Sequence, residues 1–172
     1  MSKYEQMYEA CELTRREWFA HRDRCLGYIT SLVNGFSDYC EIPYGRLTFL
    51  RSNDLSGEEK QYTQPDDGER YTLMDAIKYD EEDGYWHLGI GILLTPPGRL
   101  PSYWVSFALC VTENNEKAMI KIGWAGKPLE ICIENSDQCA HFYEWVCENI
   151  KQSFGPRKST QLPIGFDART SA

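Results

Sequence analysis

The 172-residue sequence lacks most of the signals by which a chain announces its chemistry. It has no run near the ~18 apolar residues that a membrane span requires, so no membrane partner is expected. Its opening stretch, "MSKYEQMYEACELTRREW", has no apolar core of the kind that directs export. Its seven cysteines (11, 25, 40, 110, 132, 139 and 147) form no C-x-x-C pair, and structural zinc depends on such close pairs. No metal and no cofactor is therefore expected. An odd, scattered set of thiols fits a reducing cytoplasm, where a free thiol behaves as a small hydrophobe.

There is no Gly-x-Ser-x-Gly elbow, and Gly89-x-Gly91 opens no helix, so it matches neither a dinucleotide fingerprint nor a phosphate loop. A basic stripe is also missing. The formal charge is −8, and residues 54–83 carry all of it. That segment holds eleven acids and three bases, leaving fifteen of each elsewhere. Direct nucleic-acid binding is excluded on this ground, because it needs a cationic footprint.

What is present is periodicity. Residues 3–34 repeat apolar positions at helical spacing (Met7, Cys11, Trp18, Cys25, Ile29, Leu32, Val33), and Asn34-Gly35 reads as a C-terminal stop. Arg15 and Arg22 interrupt this stripe. Their stems cover apolar surface in the simplest account, or they pair with a carboxylate. Period-two alternation predicts strands over 46–51, 71–79, 86–94, 102–111, 117–124 and 129–133, with turns at "DEEDG" and "TENNE". Residues 52–70 read as a long polar loop. A second amphipathic helix is predicted over 136–154. The expectation is an α+β domain over 1–155: a long N-terminal helix, a six-stranded antiparallel meander and a C-terminal helix packed on the sheet. Residues 156–172 are expected to be a flexible tail with one apolar patch, 162–166.

One stretch, "YWHLGIGILL" (85–94), interleaves two sequences. Trp86, Leu88, Ile90, Ile92 and Leu94 build a wall, while the other face carries Tyr85, His87, Gly89 and Gly91. If 102–111 pairs beside it, Trp104, Ser106, Ala108 and Cys110 join that face. His87 with Cys110 or Ser106 then outlines a base and a nucleophile. Small residues on a strand more often admit a closely packed element, here a helix, than a substrate. His141, Glu144 and Glu148 share an outer helical face beside Trp145, a pattern more common on solvated surfaces than in metal sites. Trp145 itself is an interface candidate.

The acidic segment is the other feature. Asp66, Asp67, Glu69, Asp80, Glu81, Glu82 and Asp83, with Tyr85 among several interleaved tyrosines, suggest a surface offered to a basic protein. The functional expectation is a non-catalytic cytoplasmic binding module of the inhibitor or immunity kind. Two alternatives stand beside it. One is a small-molecule-binding or hydrolytic domain using the His87/Gly89/Gly91 face. The other is a subunit of a larger assembly, homo-oligomers included, joined through Trp145 or the 162–166 patch.

Overall fold

The computed structural model describes residues 2–52, 62, 63, 70–95, 98, 102–123, 126–154 and 166–171. Helix α1 (Lys3–Tyr39) opens with a capping box in which Ser2 and Glu5 satisfy each other's backbone N–H groups. It does not stop at Asn34-Gly35. Gly35 lies inside the helix because a β-carbon there would sit 2.2 Å from the hydroxyl oxygen of Tyr143. This glycine serves a close approach between two helices, and the chain leaves α1 only at Cys40, with Glu41 at φ +50°.

Strand β1 (Leu47–Ser52) and the two-residue strand β2 (Tyr62–Thr63) follow. The predicted strand over 71–79 is instead a short helix, α2 (Leu73–Ala76), and a short strand, β3 (Lys78–Asp80). Thr72 caps α2 by accepting from the Asp75 N–H, a local bond that competes with extended backbone. Strands β4 (Tyr85–Leu93), β5 (Ser102–Asn114), β6 (Lys117–Ile122) and β7 (Leu129–Ile131) lie close to the predicted positions, and helix α3 (Ser136–Ser153) follows. The chain returns once more to the sheet as β8 (Phe166–Ser171).

The sheet is antiparallel, ordered β2-β1-β4-β5-β6-β7, with β3 also on β4 and β8 also on β5. Strands β1 and β3 share one edge of β4 end to end: β1 faces Gly89–Ile92 and β3 faces Tyr85–His87. Strands β6 and β8 likewise divide the far edge of β5. The reason is length. Strand β5 has thirteen residues and β6 only six, so half of an edge would stay unpaired without β8. The segment expected to be a tail thus contributes a strand, and β1 pairs with both β2 and β4.

Helices α1 and α3 cover one face of the sheet. Cys25, Ile29, Leu32, Val33 and Phe36 of α1 meet the large residues of β4 and β5, together with Phe142, Val146 and Ile150 of α3. At one end of the sheet, where the β3–β4 and β5–β6 turns lie, Arg24 pairs with Glu113 at 2.7 Å and the Tyr28 hydroxyl donates to the Glu116 carbonyl. Beyond that end α1 continues outward. Among the described residues no helix is long and apolar enough to cross a membrane.

Candidate functional site

The second sheet face is the one with the small residues. The register places His87 opposite Cys110, Gly89 opposite Ala108, Gly91 opposite Ser106 and Leu93 opposite Trp104. Cys110 in turn faces Lys121, and Lys78 faces His87. Because directly paired residues share a face, Lys78, His87, Cys110 and Lys121 form one row across four strands.

Among the described residues no helix lies on Gly89 and Gly91. A β-carbon on Gly89 would be 2.8 Å from the Tyr62 ring and 2.7 Å from Leu50 Cβ. One on Gly91 would fall 2.1 Å from the Trp104 ring. The glycines make room for two aromatic side chains, not for a helix or a ligand. Tyr62 thereby crosses Gly89, and its hydroxyl reaches His87 Nδ1 at 2.8 Å.

His87 is buried, with 1% exposure, and both ring nitrogens are engaged. Cys110 Sγ lies 3.3 Å from Nδ1. On the other side, Asp83 Oδ1 and Oδ2 lie 3.2 and 3.1 Å from Nε2. A carboxylate can only accept, so Nε2 carries the hydrogen and Nδ1 receives one from Tyr62 or Cys110. Burial, and after it the neighbouring Cys110, holds the Tyr62 phenol far above its ordinary range, so it remains a donor.

Asp83 is the hub on the far side. It accepts hydrogen bonds from the Lys121 ammonium at 2.8 Å and from the Tyr85 N–H at 3.0 Å. Burial alone would raise its carboxyl, but the bonds from Lys121, the Tyr85 N–H and His87 outweigh it and hold it below its ordinary value. The Lys121 ammonium also lies 4.0 Å above the Tyr85 ring, a cation–π arrangement.

A thiol, an imidazole and a carboxylate in this sequence are the parts of a nucleophilic triad. Access is what they lack. Cys110 has 0% exposure and the Tyr62 hydroxyl lies against the same imidazole nitrogen. Ser106, the other nucleophile candidate, sits opposite Gly91 and so two positions along the strand from Ala108, away from the imidazole. Asp80, Asp83 and His87 also bring three potential metal ligands within 4.8 Å of one another. An ion entering there would meet the Lys121 ammonium already on Asp83, which gives the carboxylates an internal counter-charge.

The acidic candidates divide. Asp66, Asp67 and Glu69 lie outside the described residues. Asp80 and Asp83 turn inward, 3.9 and 3.1 Å from His87, and Tyr85 is half-buried under Lys121. Only Glu81 and Glu82 of that turn are exposed. Trp145 is 42% exposed and stacks on Phe142 at 6.3 Å. From the sequence Tyr62 counted only among the tyrosines interleaved with the acids and Lys121 as an outward-facing strand residue, and neither was expected at the imidazole. Lys121 was legible in principle, since period-two counting from His87 through Cys110 leads to it. Tyr62 was not, because nothing in a polar stretch says that it folds back over a glycine. No family model, no curated protein and no solved structure matches the chain.

Proposed function

We propose that the protein is a non-catalytic, cytoplasmic protein-binding module of the inhibitor or immunity kind, which presents its acidic turn to a basic partner. The observation that carries this reading is how the turn is built. Asp80 Oδ1 accepts from the Glu82 N–H at 3.0 Å, the Asp80 carbonyl accepts from the Gly84 N–H at 2.9 Å, and Asp83 anchors the turn to Lys121 and His87. Gly84, at φ +73°, makes the tight reversal. Two carboxylates are thus spent on holding the backbone, and Glu81 and Glu82 are held outward on a braced tip. Preorganised charge lowers the cost of association and selects a partner of opposite sign.

Exposed Glu116, on the adjacent β5–β6 turn, adds to the same end of the sheet. The buried His87–Cys110 pair favours this reading over hydrolysis, because a substrate would have to displace Tyr62. The test is affinity capture from the source organism with the intact protein and with a Glu81→Lys/Glu82→Lys variant. Basic proteins should be enriched by the first and lost with the second, and capture should weaken with added salt. An identical set of captured proteins from both forms would remove the proposal.

A further inference from the structure

The first 22 residues of α1, Lys3–Arg24, extend about 33 Å at 1.5 Å per residue. Burial in α1 begins only at Cys25. The stripe that covers the sheet as Cys25, Ile29, Leu32, Val33 and Phe36 continues toward the N-terminus as Tyr4, Met7, Tyr8, Cys11, Trp18 and Phe19. Trp18 leans on Tyr79 and Trp86 at the rim of the domain. Past it the stripe is bare: Tyr4, Met7 and Tyr8 are 74, 62 and 59% exposed. Helical segments of this length gain little from propensity in water, and large contiguous apolar surface marks an interface.

The charges on this arm point to its occupant. Residues 3–12 carry Lys3 against Glu5, Glu9 and Glu12, a net of −2. Residues 13–19 carry Arg15 and Arg16 against Glu17, a net of +1, while Arg24 farther on is already paired with Glu113. The helix dipole accounts for Glu5 in the first turn. It does not account for the arginines, because α1 ends far away at Tyr39 with no base in its last turn. Two arms laid antiparallel about a two-fold axis bring each acidic half against the other's basic half, whereas parallel arms stack like on like.

We propose that the arm docks on a second copy of itself, forming an antiparallel helix pair centred near Cys11. That placement sets Tyr4 of one copy against Trp18 of the other. It brings Met7 and Tyr8 to the shallow notch that Ala10, Cys11 and Thr14 leave between Arg15, Trp18 and Phe19. Glu5 and Glu9 then flank Arg15 and Arg16 of the other copy. The surface is separate from the acidic turn and does not depend on the binding role proposed for it.

The test is analytical ultracentrifugation of the full chain up to about 100 μM, the range suited to a small interface, at low and at high salt. A dimer is expected that loosens with salt. Met7→Glu/Tyr8→Glu should be monomeric, and should unfold thermally like the wild-type chain at concentrations dilute enough for both to be monomers, since both side chains are exposed. Glu5→Lys/Glu9→Lys and Arg15→Glu/Arg16→Glu should each be monomeric alone and should form a one-to-one heterodimer when mixed. A monomeric wild-type chain throughout the range would overturn the proposal. So would a dimer that persists in Met7→Glu/Tyr8→Glu, or charge variants that fail to pair on mixing.

Discussion

The hydroxyl of Tyr62 lies 2.8 Å from Nδ1 of His87, while the same tyrosine's ring occupies the space over Gly89 where a side chain would otherwise stand. One residue from a two-residue strand therefore closes the imidazole and fills the bare patch of the sheet. Tyr62→Phe should keep the packing and lose the hydrogen bond, at a cost of about 1–3 kcal/mol for a buried group left short of a partner. Tyr62→Ala should also open the site. Native thiol titration with an aromatic disulfide should then detect Cys110, which stays silent in the wild-type protein and in Tyr62→Phe. A Cys110 that reacts equally in all three would show that the tyrosine is not what seals it.

The glycines of β4 are predicted to be sensitive for different reasons. Gly89→Ala drives its methyl against the Leu50 carbonyl oxygen as well as its side chain, 2.8 and 2.7 Å away, and a paired strand cannot yield easily. A loss of about 2–3 kcal/mol is expected from overpacking. Gly91→Ala meets chiefly the Trp104 ring. Its cost should shrink in a Trp104→Leu background, and a double-mutant cycle on denaturant unfolding should report the coupling. Additive costs would argue against the contact.

Asp83 sets the expected acid response. Its carboxyl is held below its ordinary value in the folded chain, so its contribution to stability is complete above about pH 5, where the unfolded group is fully ionised. The contribution is lost as the pH falls through the lower folded value. Asp83→Asn should flatten this part of the profile. It should also reduce stability at neutral pH by roughly 2 kcal/mol or more, because Lys121 and His87 lose the carboxylate that they share. Denaturant midpoints of both proteins from neutral to acid pH decide it. Parallel profiles would place the titration elsewhere.

The thiols of Cys40, at the end of α1, and Cys147, on α3, lie 2.7 Å apart. Burial pushes the Cys40 thiol up to about 12, with the bond to Cys147 adding to it, so at neutral pH Cys40 stays protonated and is a poor nucleophile. Prolonged treatment with oxidised glutathione should nevertheless join them, since the two sulfurs already touch. Closing a loop of this length is expected to raise stability by up to about 4 kcal/mol. Intact mass and non-reducing peptide mapping should show the crosslink in the wild-type protein and none in Cys40→Ser. Failure to form it under conditions that oxidise exposed Cys11 would count against the contact.

Periodicity was enough for the skeleton. The alternation in β4, β5 and β6 and the 3-and-4 spacing in α3 specify element type and inward face from local residues alone, while the sequence left Cys110 and Ser106 both open as partners of His87 and the register chose Cys110. Positions set by distant partners were not legible in that way. Gly35 looked like a helix stop because a glycine after Asn usually is one. Its reason is Tyr143, more than a hundred residues away. The strand predicted over 71–79 failed where the Thr72 cap favoured one helical turn. The end of the chain looked like a tail because its polar run hides a strand that is needed only to cover an edge of β5.

The same division holds for the site. The residue types were in view from the start: a histidine beside two glycines, and an acidic turn just upstream. By itself the sequence determined that these belong to neighbouring strands, and that a long amphipathic helix precedes them. Only the tertiary structure decided that Asp83 turns inward, that Tyr62 covers Gly89, and that the first turns of α1 stand exposed. Local spacing fixes which way a side chain points from its own strand or helix. What meets it there depends on the packing of segments far apart in the chain.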